Sequence, residues 1–262
     1  MQFKVCKPDA NTFPNVVKFK NAKDIKHQYV SLDKDIGYWI LQSPFENDTF
    51  ELYKELVSCF PISKDNNRPD NPDPNPFDTI HIPDWLHKDI CLLLRDFYIQ
   101  QHFNGHWSLD YALNNFKNPR VFEWGNVYYK DRAKPIIGYR IPHIDYPQGM
   151  VGNLWFTNHE KGTSGTKFYK YIGNKLSGGY DFAVDPKHKL YDEYQDMLRQ
   201  GRNNSWFNFD DKELQRFGFE YLGMADCVQN TMTVYKSDIC HLAYVEKSVN
   251  FRWSHTYAFA HG

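Results

Sequence analysis

The chain has 262 residues, with 31 lysines and arginines against 32 aspartates and glutamates and a formal net charge of −1 at neutral pH. That balance, with no basic stripe, lacks the electrostatic footprint of tight nucleic-acid binding, so a nucleic acid is not an expected partner. Five cysteines, an odd number with no CxxC spacing, argue for reduced thiols, and no window approaches a membrane span; a soluble, cytoplasmic protein is expected.

The N-terminal stretch Met1–Asp9 has no apolar run of the kind a secretory leader carries. Residues 48–60 read as a capped amphipathic helix. A loop dense in Asn, Asp and Pro follows from Pro61 to Pro83, long enough to be either functional or disordered. Leu86, Ile90, Leu93 and Phe97 then recur at helical spacing over 84–98. Strand patterning begins near Arg120 and continues through Val121, Phe122 and Glu123 towards Tyr129. Residues 1–118 are therefore expected to form a helical buttress, and 119–260 a β core, within one domain spanning 1–262. An aromatic content of 17% suits a β-rich fold. Strand patterning lapses in an insert over 173–215, where Lys189–Gln200 reads as a short helix and Trp206, Phe207 and Phe209 cluster. The insert is either a lid or a surface decoration.

The chemistry gathers around His143-Ile144-Asp145, which follows a β-rich run, Ile136 to Ile141, and precedes the turn residues Tyr146 to Gly149. Residues i and i+2 on a strand share a face, so an imidazole and a carboxylate stand side by side there. A second such pair, His87 and Asp89, lies in the helical stretch, where i and i+2 diverge and cannot hold one ion. The plain alternative for His143 and Asp145 is a satisfied polar pair at a strand end. His241 downstream completes a 2-His-1-carboxylate set, which leaves three positions of an octahedral Fe(II) open for a co-substrate and O2. Eleven residues later comes Arg252-Trp253-Ser254, and a guanidinium matches a carboxylate bidentately. Thr231–Lys236 and Asn250–Phe259 both alternate, which predicts His241 and Arg252 on adjacent strands. Arg252, Ser254, Thr256 and Ala258 then share one polar face, either a pocket lining or a solvated outer face. Cys240 points away from His241 on such a strand and is read as core, not as a fourth ligand.

The order HxD, then Gly165-Thr166-Lys167-Phe168-Tyr169, then His241, then Arg252-x-Ser254, resembles the Fe(II)/2-oxoglutarate-dependent oxygenase superfamily. The run Gly152–Asn158, its small-residue turn and Gly165–Tyr169 are similar to the strand-turn-strand after HxD in prolyl-hydroxylase-like members, and the match covers roughly 119 to 260. The resemblance implies a mainly β fold with flanking helices, a double-stranded β-helix (jelly-roll, cupin-like). It implies His143, Asp145 and His241 as Fe(II) ligands, and Arg252 with Ser254 as the holder of the distal carboxylate of 2-oxoglutarate. Lys236–His241 departs from the glycine that many members place before the distal histidine, and Asp238 is a suitable turn residue in its place.

The activity so implied couples decarboxylation of 2-oxoglutarate with O2, giving succinate and CO2, to hydroxylation of a C–H bond. Members that halogenate free amino acids have a small residue where Asp145 stands, so hydroxylation is expected here. The chain's size and polar insert fit members acting on free amino acids or other small polar molecules, with Glu123, Trp155 and Trp206 as candidate substrate contacts and Asp181 and Asp185 as further carboxylates. Prolyl or peptidyl hydroxylation is one alternative. A cupin-like metal-binding protein without 2-oxoglutarate chemistry is another, and Arg252 is what separates them. The sequence leaves the oligomeric state open.

Overall fold

The computed structural model describes residues 17–46, 49–59, 62–63, 78–80, 92–93, 96, 120–123, 139–140, 142–144, 149–172, 190–193, 196, 207–208, 210–246, 249 and 251–260. They form a mainly β protein. Its strands are β1 (Lys26–Asp33), β2 (Ile36–Gln42), β3 (Ile62–Ser63), β4 (Asp78–Ile80), β5 (Arg120–Glu123), β6 (Tyr139–Arg140), β7 (Gly149–Trp155), β8 (Ser164–Tyr171), β9 (Phe207–Asn208), β10 (Phe219–Asp226), β11 (Thr231–Lys236), β12 (His241–Val245) and β13 (Phe251–Ala260). Two helices are labelled, α1 (Thr49–Cys59) and α2 (Asp211–Arg216).

An antiparallel sheet of eight strands runs β1-β2-β11-β7-β13-β5-β4-β3, and a three-stranded antiparallel sheet runs β10-β8-β12. The short strands β6 and β9 pair in parallel. Consecutive strands change sheets: β7 is in the large sheet, β8 and β10 in the small one, β11 in the large, β12 in the small and β13 in the large.

The expected helical buttress over 1–118 needs correction. Its described part holds α1, but also the β1–β2 hairpin, which extends the large sheet through β2 and β11, and the strands β3 and β4. The hairpin escapes a pattern reading because β1 is an edge strand, mostly solvent-exposed on both faces, and so lacks an apolar alternation. The helix expected over 84–98 falls mostly outside the described residues, as does most of that over 189–200.

Aromatic rings from the two sheets meet between them. Tyr38 of β2 stacks on Phe168 of β8 at 5.0 Å between centroids, and Tyr235 of β11 meets the same ring edge-on at 5.1 Å. Val151, Ala225 and Ile239 complete this cluster. Burying one such ring contributes roughly 1.5–3 kcal/mol. The outer face of the small sheet is covered by α2, whose Leu214 packs with Tyr169, Phe219, Leu242, Cys240 and Ile144. Asp210 caps α2 by accepting from the Lys212 amide.

On the outer face of the large sheet, α1 does act as a buttress. Phe50 and Tyr53 stack on Phe156, which stacks in turn on Trp253 of β13. The Tyr53 hydroxyl and His255 Nδ1 lie 2.8 Å apart in the same layer. Trp253 and His255 are therefore as buried as their neighbours Arg252 and Ser254, and this stretch of β13 is covered on both faces.

Gly165 is required by backbone proximity. A Cβ built there would sit 2.0 Å from the Ala225 carbonyl oxygen on β10, and a backbone atom cannot swing aside as a side-chain tip can. Gly165→Ala is expected to cost about 1–3 kcal/mol, the usual range for overpacking. For a chain of this size that lowers Tm by roughly 2–12 °C, readable by calorimetry.

Candidate metal and co-substrate site

His143 and His241 form an isolated antiparallel bridge. The His143 amide donates to the His241 carbonyl at 2.8 Å, and the His241 amide donates to the His143 carbonyl at 2.7 Å. Residues directly opposite in such a pair present their side chains to one face, and the two imidazole centroids lie 4.5 Å apart. His241 is buried at the start of β12, and its Nδ1 lies 2.9 Å from the Ile239 carbonyl oxygen. A carbonyl only accepts, so Nδ1 is the donor in this contact, which leaves Nε2 as the ligating nitrogen of a neutral ring. Metal-ligating histidines are commonly fixed by a bond of this kind. Asp145 lies outside the described residues. Among those described, no group of three or more His, Cys, Asp and Glu side chains could hold a metal; two members of the expected three are brought together. The competing pair His87 and Asp89 also lies outside them.

Arg252 comes from the opposite sheet. This corrects the expectation that His241 and Arg252 occupy adjacent strands: β12 pairs with β8, whereas β13 pairs with β5 and β7. The five residues between β12 and β13 are enough for the chain to cross from one sheet to the other. Arg252 then spans the interior, where its Nη1 donates to the carbonyls of Gly165 on β8 and Tyr244 on β12, each at 3.3 Å. Its guanidinium lies 4.7 Å from the centroid of the Trp155 ring. The side chain is buried, its Nε has no hydrogen-bond partner, and no ion pair joins it to a carboxylate among the described residues. Burial pulls its pKa below the ordinary arginine value. Its charge is felt nearby: the pKa of His159 is lowered by burial first and by Arg252 second. Among the described residues this buried cation meets carbonyl oxygens and an aromatic ring, and a buried charge is costly unless it is paired.

Ser254, buried, shares the face of Arg252 and stands opposite Trp155 in the β13–β7 register. Trp155, expected as a substrate contact, is fully buried beneath Arg252 and donates from Nε1 to Thr233 Oγ1 at 3.0 Å. Glu123 ends β5, opposite Phe251 in register. Trp206, Asp181 and Asp185 lie outside the described residues. Cys240 packs in the cluster behind the small sheet, as expected of a core residue, and burial raises the pKa of its thiol. Cys227 is buried too, with its thiol pushed up to about 11 by burial.

Three polar side chains in the interior were not singled out from the sequence: Asn153, Thr166 and Tyr235, each at most 4% exposed. The available signal was alternation, because Val151, Asn153 and Trp155 share one face of β7, as Thr233 and Tyr235 share one face of β11. An amide inside an otherwise apolar alternation has to find hydrogen-bond partners once the strand is buried, and Asn153 does so with Thr166 and Tyr235.

The described parts of the 173–215 insert attach close to the histidines. Strand β9 pairs with β6, which leads into His143, and Leu190 and Tyr191 pack on the cluster holding Ile144 and Cys240. Arg216 also pairs with Glu193 at 2.6 Å.

No protein-family model matches the chain, and no curated protein matches it. Among the described residues, no helix is long and apolar enough to cross a membrane.

Proposed function

We propose that the chain is a non-haem Fe(II)/2-oxoglutarate-dependent dioxygenase of jelly-roll fold that hydroxylates a C–H bond of a small polar substrate, a free amino acid or a derivative of one. The observation that carries this reading is the reciprocal backbone pairing of His143 with His241, distant in sequence, within an interior that also receives Arg252. The repeated change of sheet between consecutive strands from β7 to β13 supports the jelly-roll part of it.

In this reading His143 and His241 bind the iron through imidazole nitrogens, with Asp145 as the third ligand. Arg252, on its Trp155 platform, binds the distal carboxylate of 2-oxoglutarate together with Ser254. The burial of Arg252, Ser254 and Trp155 keeps water from competing for that carboxylate and strengthens the charge pairing. When bound, iron with 2-oxoglutarate and O2 supplies the oxidising power: one oxygen atom enters the substrate C–H, the other enters succinate, and CO2 leaves. Two adjacent imidazoles and a buried guanidinium whose Nε has no partner among the described residues support this reading, with Asp145, outside those residues, expected as the third ligand. The cytoplasmic setting belongs to the same proposal.

Prolyl or peptidyl hydroxylation is the alternative substrate class. A cupin-like binding protein without 2-oxoglutarate is disfavoured by Arg252, since such a protein has no use for a buried guanidinium that lacks a carboxylate among the described residues. The protein supplied with Fe(II), 2-oxoglutarate and O2, and then with a panel of free amino acids and prolyl peptides, should release succinate and yield a product heavier by one oxygen atom. A preparation that binds iron but forms no succinate with any of them would contradict the proposal.

A further inference from the structure

His159 lies half-buried in the turn between β7 and β8, and the chemistry proposed above does not use it. Its Nε2 is 3.0 Å from Thr157 Oγ1, which also accepts from the Trp253 amide at 3.2 Å and lies 3.6 Å from Cys227 Sγ. The Cys227 thiol donates its own proton to the Thr157 carbonyl at 3.3 Å, and burial keeps it protonated by pushing its pKa up to about 11. The Thr157 hydroxyl therefore has two places for its proton. When the ring is neutral and Nε2 accepts, Thr157 donates to His159; when the ring is charged, Nε2 donates to Thr157 and the hydroxyl turns to Cys227 Sγ. Both states satisfy the network, so His159 can gain a proton while Thr157 still holds the Trp253 amide.

This network borders the buried arginine. The His159 amide donates to the Cys227 carbonyl at 3.2 Å and the Cys227 amide to the Ser164 carbonyl at 2.8 Å, and Ser164 adjoins Gly165, whose carbonyl accepts from Arg252 Nη1. Trp253, whose amide Thr157 receives, is the residue after Arg252. Around the turn the described charged groups are Arg252 on β13, Asp226 at the end of β10, whose carboxylate accepts from the Gly162 amide, Glu246 after β12, whose amide donates to Thr163, and Glu160 and Lys161 in the turn itself. Burial, and after it Arg252, disfavours the charged form of the His159 ring, and of these charges only Arg252 does so.

An anion seated at Arg252 cancels that repulsion. Resting on the function proposed above, we propose that His159 senses occupancy of the Arg252 site: it gains a proton when a dicarboxylate binds there, so that acid tightens co-substrate binding. Such a linkage is reciprocal, since a ligand that favours the proton is favoured by it to the same extent. At a pH above the range in which His159 of the complex titrates, the ring is neutral with or without the anion, and this group has no effect on affinity. As pH falls through that range the complex is protonated before the free chain, and affinity rises until the ring of the free chain is charged as well.

The test is anaerobic calorimetry on the full chain loaded with Fe(II), titrated with 2-oxoglutarate in pairs of buffers of unequal ionisation heat, with melting curves for every variant. The wild-type protein should take up a fraction of a proton per 2-oxoglutarate bound at about pH 6, and should bind it about threefold tighter there than at about pH 7.5. His159→Gln keeps an amide for Thr157 but cannot take the charge, so it should lose both the uptake and the rise in affinity, neither of which a merely structural histidine would govern. If His159→Gln does not fold, His159→Asn takes its place. Absence of uptake in the wild type, or the same uptake in a folded variant, overturns the inference and leaves the proposed function standing. Failure of the Fe(II)-loaded wild-type protein to bind 2-oxoglutarate at any pH overturns the function on which the inference rests.

Discussion

Arg252→Lys should weaken 2-oxoglutarate binding by about 10- to 150-fold, because hydrogen bonds to charged groups contribute roughly 1.5–3 kcal/mol and a lysine cannot reproduce the planar fork. The side chain is buried, and its Nε has no partner among the described residues, so the native site presents donors in a fixed geometry with little solvent to compete. Iron affinity should stay near that of the wild type, since Arg252 stands on β13 in the large sheet whereas His241 begins β12 in the small one. Thermal shift gives the same contrast. At about a hundred times its Kd a ligand adds roughly 2.7 kcal/mol, which for a chain of this size raises Tm by about 5–10 °C. At that same concentration the Arg252→Lys protein should shift by roughly half as much or less. Unchanged co-substrate affinity in this variant would favour the cupin-like reading.

The second large effect is expected at the histidines. Removing a partner that merely orients a metal ligand commonly reduces affinity by about 10- to 100-fold, so His241→Ala or His143→Ala, which removes the ligand itself, should abolish stoichiometric iron binding. The fold should survive, because the bonds joining the two residues run from main chain to main chain and do not need the imidazoles. The His241 variant also strands the Ile239 carbonyl, so a small drop in Tm is expected beside the loss of metal. Metal content of protein reconstituted without oxygen reads the result. Wild-type iron affinity in both variants would end the assignment.

The sequence carried the core of the candidate site because two local signals coincided: HxD after a β-rich run, and an alternating strand bearing Arg252. The structure pairs His143 with His241 and sets Arg252 against the Tyr244 carbonyl of the strand that His241 begins, while Asp145 lies outside the described residues. The sheet to which each strand belongs was not legible. Alternation says which side chains share a face but not which partner a strand takes, and the short connection between β12 and β13 serves a crossover as well as a hairpin. The β1–β2 hairpin was missed because Lys26, His27, Gln28 and Tyr29 are all exposed and leave no apolar pattern to read. Trp155, a candidate substrate contact from the sequence, packs in the structure as the platform under a guanidinium, a contact between β7 and β13 that no local pattern announces. Asn153 and Tyr235 were hidden by their own strands: only when β7 and β11 pair, setting Asn153 opposite Thr233 and Val151 opposite Tyr235, do the polar groups converge.

The central claim, that one interior holds both iron and 2-oxoglutarate, is tested most directly by adding 2-oxoglutarate to the Fe(II)-loaded protein without oxygen and recording the visible spectrum. Chelation of an α-keto acid to ferrous iron produces a charge-transfer band that neither component shows alone. The expected result is a band that saturates at one 2-oxoglutarate per chain, is absent in His241→Ala, and in Arg252→Lys appears only at far higher concentrations. A protein that binds Fe(II) yet develops no band at any 2-oxoglutarate concentration would contradict the account.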